Sequence, residues 1–193
     1  MKNYITYFIL LTLCCSCLDN SKKYKVDNFD EENLKWYKPF QKENDTVIYV
    51  SDKMEFDTLI YHKPKQDSDS TRGFEQGYSN TNYLTVSYDI TLGSYHKFAL
   101  TGDGKTRCTQ NFANMAKSSK DFESLEIVFI GTLFNGENLQ KIKKLNDSTY
   151  LFRGIDANYT GISVEEGIYD FVFNTRKGVI EYTDYRKVKW KRK

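Results

Sequence analysis

The segment 99–106 reads Ala-Leu-Thr-Gly-Asp-Gly-Lys-Thr and comes close to a phosphate-binding loop. Such a loop holds phosphates with backbone N–H groups between a buried parallel strand and a helix. Here alanine replaces the first glycine, and His96 and Lys97 interrupt the strand that would precede the loop. We therefore expect no bound nucleotide. Asp103 and Gly104 instead predict a type I′ hairpin turn, because both central residues of that turn need positive φ.

A second segment resembles the start of a calcium loop. Asp67, Asp69 and Thr71 stand at alternate positions, as the first ligands of an EF-hand do. The glycine required at position six is Arg72, however, and the bidentate acid required at position twelve is Tyr78. We expect a solvated loop here and no metal site.

Nucleophilic catalysis would need Cys108 and a neighbouring base, either His62 or His96. The sequence gives no reason to place these side chains together, and a lone cysteine in a strand is usually a small buried hydrophobe. The two histidines also lack the spacing of a zinc-binding pair. We predict no catalytic residue, metal or cofactor, although an acidic active site stays open among the 26 Asp and Glu residues.

Composition bounds the fold. The chain has 193 residues, of which 39% are hydrophobic and 16% aromatic, and only 2 are proline. This length suits one domain, and many rings with little proline favour strands. The formal net charge is +2, so nothing requires a polyanionic partner such as nucleic acid. A basic run ends the chain, and we interpret it as a solvated strand end: Arg186, Lys187, Lys189, Lys191, Arg192 and Lys193.

Short strand-like runs separated by turn residues fill the chain after residue 45. They predict a mainly β fold, a single antiparallel β-sandwich or barrel with one or two short helices. Gly178 is placed where a hairpin needs a left-handed residue. The predicted strands are 46–50, 56–61, 83–92, 95–100, 125–130, 140–145, 149–152, 168–173, 178–182 and 185–190, with a loop at 64–82 and a short helix within 110–123.

Rings are concentrated near the C-terminus. Tyr169, Phe171 and Phe173 alternate, which predicts that they share one face of a strand. Most such rings pack in a core or in cross-strand pairs. A row of exposed rings would instead stack on sugars, so a glycan partner stays open. Further rings follow on the next predicted strands, namely Tyr182, Tyr185 and Trp190.

The N-terminus has the three-part form of a secretory signal. Lys2 precedes a short apolar run at 4–13, which small residues follow. The sequence Leu13-Cys14-Cys15-Ser16-Cys17 resembles a bacterial lipoprotein signal, in which a small residue precedes the cysteine that is acylated. Ser16 has the right size for that position, so the resemblance implies lipidation of Cys17. Cys14 and Cys15 remain alternatives.

The resemblance implies an organisation of the chain: residues 1–16 as signal peptide, 17–44 as lipidated tether and lead-in, and 45–193 as the antiparallel β domain. Two or three acyl chains hold such a protein in a membrane essentially permanently. Leu18, where an inner-membrane lipoprotein of enterobacteria carries aspartate, favours the outer membrane. Removal of the signal would leave Cys108 as the remaining free thiol, so no internal disulfide is expected.

Together these patterns predict a cell-envelope lipoprotein that is a non-enzymatic binding or interaction module at the membrane surface. Its expected partners are the membrane, through the lipid anchor, and a glycan or a protein. Two alternatives stay open: a hydrolase with an acidic active site on the secreted side, and a barrel that carries an apolar ligand.

Overall fold

A computed structural model describes residues 29–73, 77–91, 107–118, 123–159 and 168–193. The predicted signal, Cys17, His96 and the segment 99–106 lie outside these ranges. Within them, helix α1 (Glu31–Leu34) precedes thirteen strands, and 3₁₀ helices occupy Gly136–Lys141 and Gly154–Asp156. The strands are β1 (Asp45–Ser51), β2 (Phe56–Tyr61), β3 (Lys65–Gly73), β4 (Gly77–Thr91), β5 (Arg107–Ser118), β6 (Glu123–Phe129), β7 (Thr132–Asn135), β8 (Lys143–Asn146), β9 (Thr149–Arg153), β10 (Asn158–Tyr159), β11 (Ile168–Asn174), β12 (Gly178–Asp184) and β13 (Lys189–Arg192).

The strands form a single antiparallel sheet. Its order is β10-β7-β6-β5-β4-β2-β1-β13-β12-β11-β9-β8, and β3 pairs with β4 beside this path. Every pair is antiparallel, and β1 and β2 form a hairpin in the register Val47↔Leu59. The predicted mainly β, antiparallel class is therefore confirmed.

Contacts between distant strands show that the sheet curls on itself like a half-barrel. Strands β5 and β11 are separated by five others in the sheet order, yet the rings of Phe112 and Phe173 stack with centroids 5.5 Å apart. Phe129 at the end of β6 likewise lies 5.1 Å from Phe171. Because the two halves of the sheet face each other through these rings, the interior is packed with aromatic side chains.

Alternation along each strand selects which side chains enter this interior. On β1 the inward residues Val47 and Tyr49 are buried, whereas Ile48 between them is 39% exposed. The core also holds a polar pair, since the Tyr182 hydroxyl donates to the buried carboxylate of Asp57. Burial raises the pKa of Tyr182, so this phenol stays protonated and can donate.

The sheet has two ends, which the registers define. We call the end beside α1 the near end: Trp36 packs 5.3 Å from Phe173, close to the C-terminus of β11. At the opposite end of β11, Ile168 pairs with Asp184, where β12 turns into β13. We call that the far end, and it also holds the turns 52–55 and 130–131. A seven-residue strand such as β1 separates the two ends by roughly 20 Å.

Two predicted elements were wrong in kind, and the strand predicted at 185–190 was wrong in part, because residues 185–188 form the turn before β13. The segment 64–82 was predicted as a loop, but its residues 65–73 form β3 and its residues 77–82 begin β4, in the register Asp67↔Tyr83. Residues 110–118, predicted as part of a helix, belong to β5, which pairs with β4 and β6 on its two sides. In both cases pairing with neighbouring strands decides the structure, against the local composition.

The predicted row of rings on β11 was also wrong in part. Phe171 and Phe173 are buried, but Tyr169 is 48% exposed. The pairing of β11 with β12 shifts register between Ile168 and Asp170. Such a bulge reverses the facing of the residues beyond it, so Tyr169 points away from the core that the other two rings enter.

Candidate functional site

The near end carries a groove between α1, β6 and the 3₁₀ helix at Gly136–Lys141. It consists of two adjoining depressions of about 300 Å³ and about 530 Å³, which share Asn33, Leu125 and Leu139. Apolar side chains line one part of this near-end groove and acids line the other. The remaining lining residues are Glu32, Lys35, Trp36, Gln140, Ile142 and Tyr150 in the first depression, and Glu123, Ser124, Glu126, Asn135 and Gly136 in the second.

An ammonium group already lies in the near-end groove. The Nζ atom of Lys35 is 4.9 Å from the ring centroid of Trp36 and 5.0 Å from that of Tyr150. It also lies 3.4 Å from a carboxylate oxygen of Glu32. Aromatic faces and a carboxylate are the surroundings that favour a cation. The groove is therefore chemically suited to a lysine or arginine side chain.

Glu123 links the groove to the start of the described chain. Its Oε1 accepts a hydrogen bond of 2.7 Å from Asn33 Nδ2, and its Oε2 accepts one of 3.4 Å from the Asp30 backbone N–H. Burial raises the pKa of Tyr37, and the charge of Glu123 raises it further. This carboxylate therefore fixes the N-terminal segment onto β6 and contributes negative charge to the groove.

The far end displays exposed apolar side chains. Met54 is 72% exposed and Phe56 53%, both at the β1–β2 hairpin. Ile155 is 84% exposed, and Tyr169 and Tyr185 are 48% and 39% exposed. We call these five residues the apolar row. Two other large exposed hydrophobic residues, Ile48 and Leu145, lie outside it.

Specific contacts connect the members of the apolar row. The guanidinium of Arg186, next to Tyr185, donates to both carboxylate oxygens of Glu55, at 3.2 and 2.9 Å. Lys187 Nζ lies over the Tyr169 ring, 2.7 Å from its centroid. Gly154 packs so closely that an added Cβ would lie 2.6 Å from the Tyr169 carbonyl oxygen, so the backbone next to Ile155 lies against β11. These contacts hold the segments that carry the apolar row at one end of the sheet, with charged side chains between the apolar ones.

Buried Asp184 holds the far-end turn in place. Its carboxylate is 0% exposed and accepts from the backbone N–H of Arg186 at 2.9 Å and of Val188 at 3.1 Å. It also accepts from the Trp190 indole at 3.2 Å and from the Arg186 guanidinium at 2.8 Å. Buried charge is tolerated only with such partners, so this network fixes the turn that presents Tyr185.

The backbone at the far end is strained. Met54, Ile130 and Lys187 adopt positive φ values of 61°, 43° and 65° in the three turns of that end. Side chains other than glycine rarely adopt this conformation, and a β-branched residue such as Ile130 does so least of all. Backbone strain of this kind is concentrated at functional sites.

A smaller pocket of about 180 Å³ lies on β9, β11, β12 and β13, lined in part by Asp170, Glu181 and Lys189. Desolvation raises the pKa of the Asp170 carboxyl, although a backbone hydrogen bond from Gly154 opposes the shift. Two register shifts of β11 flank this position, and bulges are common beside functional sites because they redirect side chains. The pocket therefore places a desolvated acid near a second one.

His62 takes part in a network that resembles a catalytic triad in composition. Its Nε2 lies 2.8 Å from Asp89 Oδ2 and its Nδ1 lies 3.0 Å from Glu43 Oε1. The Thr109 hydroxyl donates to the other oxygen of Asp89. In a triad the histidine lies between the hydroxyl and the acid. Here the acid lies between them, so the network joins β2, β4 and β5 and does not activate Thr109.

The residues considered from the sequence do not converge. Asp67 and Asp69 lie along the extended strand β3, which does not curl as a calcium loop does. Strand β5 places Cys108 opposite Ile90. In the described ranges, no group of three or more His, Cys, Asp or Glu side chains is arranged to hold a metal ion. Sequence reasoning missed Met54, Phe56 and Ile155, because isolated apolar residues in turns carry no pattern.

No family model matches the chain, and neither a curated protein nor a solved structure matches it. Across the described part of the chain, no helix has the length and apolar character that a membrane span requires.

Proposed function

We propose that this protein is a lipid-anchored interaction module of the bacterial cell envelope, without enzymatic activity, that binds a partner protein through the apolar row. The observation that carries the proposal is the exposure of five large apolar side chains at one end of the sheet, on segments that contacts of Arg186 and Lys187 link. Met, Tyr and Phe are enriched in protein interfaces, where such anchors contribute most of the binding energy.

The anchor is proposed from the sequence 13–17, with Cys17 as the acylated residue and the outer membrane as the favoured site. The place where the tether joins the sheet decides which end of the sheet would face the membrane. The segment that begins at Phe29 joins the sheet at the near end, through Glu123. A tether attached there leaves the far end directed away from the membrane, where a partner has access to it.

The charges of the far end favour a protein partner over a polyanion. Arg186 pairs with Glu55 and Asp184, and Arg153 pairs with Asp156 at 2.7 Å. Because these charges compensate one another, apolar contact is what this surface offers. The interior does not support the alternative of an apolar-ligand carrier, since the rings that fill it would first have to separate.

Site-specific photocrosslinking tests the interaction. A photoreactive phenylalanine analogue at position 54 of the full chain should give a discrete crosslinked band in cells, and Met54→Glu or Tyr169→Glu should reduce partner capture about tenfold or more. Leu145→Glu is the matched control, because Leu145 is 47% exposed but lies on the edge strand β8. Equal loss in the control, or a band only with probes outside the apolar row, would overturn the proposal.

Mass spectrometry of the membrane fraction tests the anchor separately. We expect an N-terminal peptide that begins at an acylated Cys17, and we expect Cys17→Ala to release the protein from membranes. An acylated Cys14 or Cys15 would move the site by a few residues and keep the class. A Cys17→Ala protein that still fractionates with membranes and carries no acyl group would refute lipid anchoring.

A hydrolase is the second candidate, favoured by the pocket of Asp170. A carboxyl with a raised pKa beside a second carboxyl in one pocket is an arrangement that general acid–base catalysis uses. If the pocket is catalytic, Asp170→Asn and Glu181→Gln should each abolish turnover of a chromogenic glycoside or ester, whereas Asp147→Asn should leave it unchanged. Equal rates in all variants would exclude this pocket.

A further inference from the structure

The near-end groove has the chemistry of a cation-binding site, and one of its own residues supplies the cation. Lys35 occupies only the first depression, beside Trp36 and Tyr150. The second depression is lined by the carboxylates of Glu123 and Glu126, and no lysine or arginine is among the residues that line it. An additional basic side chain would therefore meet favourable charge there.

The chain itself supplies such side chains close to this point. Residues 22–26 read Lys-Lys-Tyr-Lys-Val and precede the described ranges. Phe29, where the description begins, is buried, and the next residue is hydrogen-bonded to Glu123 on the rim of the groove. Lys25 is four residues from Phe29, so an extended chain reaches up to about 14 Å from it. The groove lies within that reach.

We propose that the segment Lys22–Val26 docks in the near-end groove, with its lysine side chains on the carboxylates of Glu32, Glu123 and Glu126. In an extended segment, Lys23 and Lys25 point to one side while Tyr24 and Val26 point to the other. One side thus matches the acids, and the other matches the apolar wall formed by Leu125 and Leu139.

Docking of this segment changes the length of free tether. Residues 18–28 span up to roughly 40 Å when extended, whereas residues 18–21 span up to roughly 14 Å. Docking would therefore bring the near end close to the membrane, and release would let the far end move outwards. This consequence rests on the proposed function, because it requires the anchor, but the docking itself does not.

The docked state should be weak and sensitive to salt. Ion pairs exposed to solvent are weak individually and are screened when the ionic strength rises. Two of them, from Lys23 and Lys25, supported by a ring and an apolar contact, suit an equilibrium that a partner or a change in ionic strength can shift.

A crosslinking experiment on the full chain tests the proposal. A photoreactive phenylalanine analogue replaces Tyr24, and the crosslinked peptides are mapped by mass spectrometry. We expect intramolecular crosslinks to residues 123–126 and 136–142, with a yield that falls about fivefold when Lys23 and Lys25 are both changed to Glu. The matched control carries the same probe at Asn20, before the basic segment, and should crosslink the groove far less.

A charge exchange removes the concern that a variant merely misfolds. Glu32→Lys with Glu126→Lys should lower the yield as the tether variant does, and the combination of all four substitutions should restore it. Glu123 is left unchanged because it holds Asn33. Crosslinks spread over other surfaces, or no restoration in the combined variant, would overturn the proposal. Crosslinks at position 54 and acylation of Cys17 are read separately, so failure here leaves the proposed function standing.

Discussion

The two ends of the sheet solve the same problem, how to reverse a strand, with different residues. At the near end the positive-φ positions are Asn44, Gly136 and Gly178, with φ values of 56°, 51° and 80°. Asparagine and glycine adopt this conformation at little cost. At the far end Gly131 also has a positive φ, of 75°, but Met54, Ile130 and Lys187 adopt this conformation against their preference.

This difference indicates what each end is built for. The near-end turns are relaxed, and one of them is closely packed: Gly178 lies against the Phe40 ring, where an added Cβ would come within 3.4 Å. Two strained residues of the far-end turns, Met54 and Lys187, have exposed side chains, whereas the third, Ile130, is buried in the core. A side chain that is retained at an energetic cost, and is not buried in return, indicates a role outside the fold.

The largest expected effect concerns Trp36, which packs against three rings at the near end. Trp36 contacts Tyr150, Phe152 and Phe173 at 5.0, 5.5 and 5.3 Å. Trp36→Ala should lower the free energy of unfolding by about 3–5 kcal/mol, which for a domain of this size lowers Tm by roughly 10 °C. Thermal denaturation followed by circular dichroism measures this. If Trp36→Ala lowers Tm no more than the surface substitution Leu145→Ala does, the segment that contains Trp36 does not pack on the aromatic core.

The far end has its own central residue, and the second prediction concerns it. Asp184→Ala leaves the Trp190 and Val188 N–H groups without their buried acceptor, so we expect a loss of about 3 kcal/mol together with loss of partner capture. Glu123→Gln at the near end should cost about 1 kcal/mol, because this carboxylate is half-buried. Denaturant titration of both variants compares the ends directly. An equal loss of unfolding free energy in Asp184→Ala and Glu123→Gln would mean that the two ends do not differ in this way.

A third substitution should separate stability from binding. Met54→Gly removes a left-handed strain, and we expect the free energy of unfolding to rise by about 1 kcal/mol while partner capture falls. Met54→Ala keeps the strain and removes most of the side chain. Partner capture should therefore fall without the rise in the free energy of unfolding. If Met54→Gly instead lowers the free energy of unfolding, the positive φ of Met54 does not strain the turn.

The smallest expected effect depends on pH. The hydrogen bond from Arg186 lowers the pKa of Glu55 below its ordinary value of 4.5. The ion pair therefore stabilises the fold above that value, and the contribution is lost as the pH falls through the lowered pKa. Because Glu55 is largely exposed, the effect should be below about 0.5 kcal/mol. Stability measured between pH 6 and pH 3 in the protein and in Glu55→Gln checks this, since the difference between them should shrink on acidification.

Much of the fold could be predicted because turns and alternation are local properties. The β1–β2 hairpin and the C-terminal meander follow from apolar alternation around turn residues, and Gly178 has the positive φ expected of it. Strand β3 could not be predicted, since all its residues from Lys65 to Ser70 are exposed and no apolar face marks them. Its strand conformation depends on pairing with β4, and the composition of β3 alone does not indicate that pairing.

The functional surfaces were harder to predict for a related reason. The ring pattern near the C-terminus included Tyr169 and Tyr185, which do belong to the apolar row, but also Trp190, which is 0% exposed. One bulge decides the facing of Tyr169. The near-end groove joins residues that are 90 positions apart in the sequence, Asn33 and Glu123, and no local pattern encodes such a meeting.

The position of the last strand affects how the protein is made. Strand β13 pairs with β1, in the register Val50↔Lys191, in the middle of the sheet order. The first and last strands must therefore meet before the two halves of the sheet become one. A nascent chain cannot close the sheet until β13 has left the ribosome, so closure comes later than the formation of local hairpins such as β1–β2. Removal of β13 would separate β1 from β12 and divide the sheet into two halves.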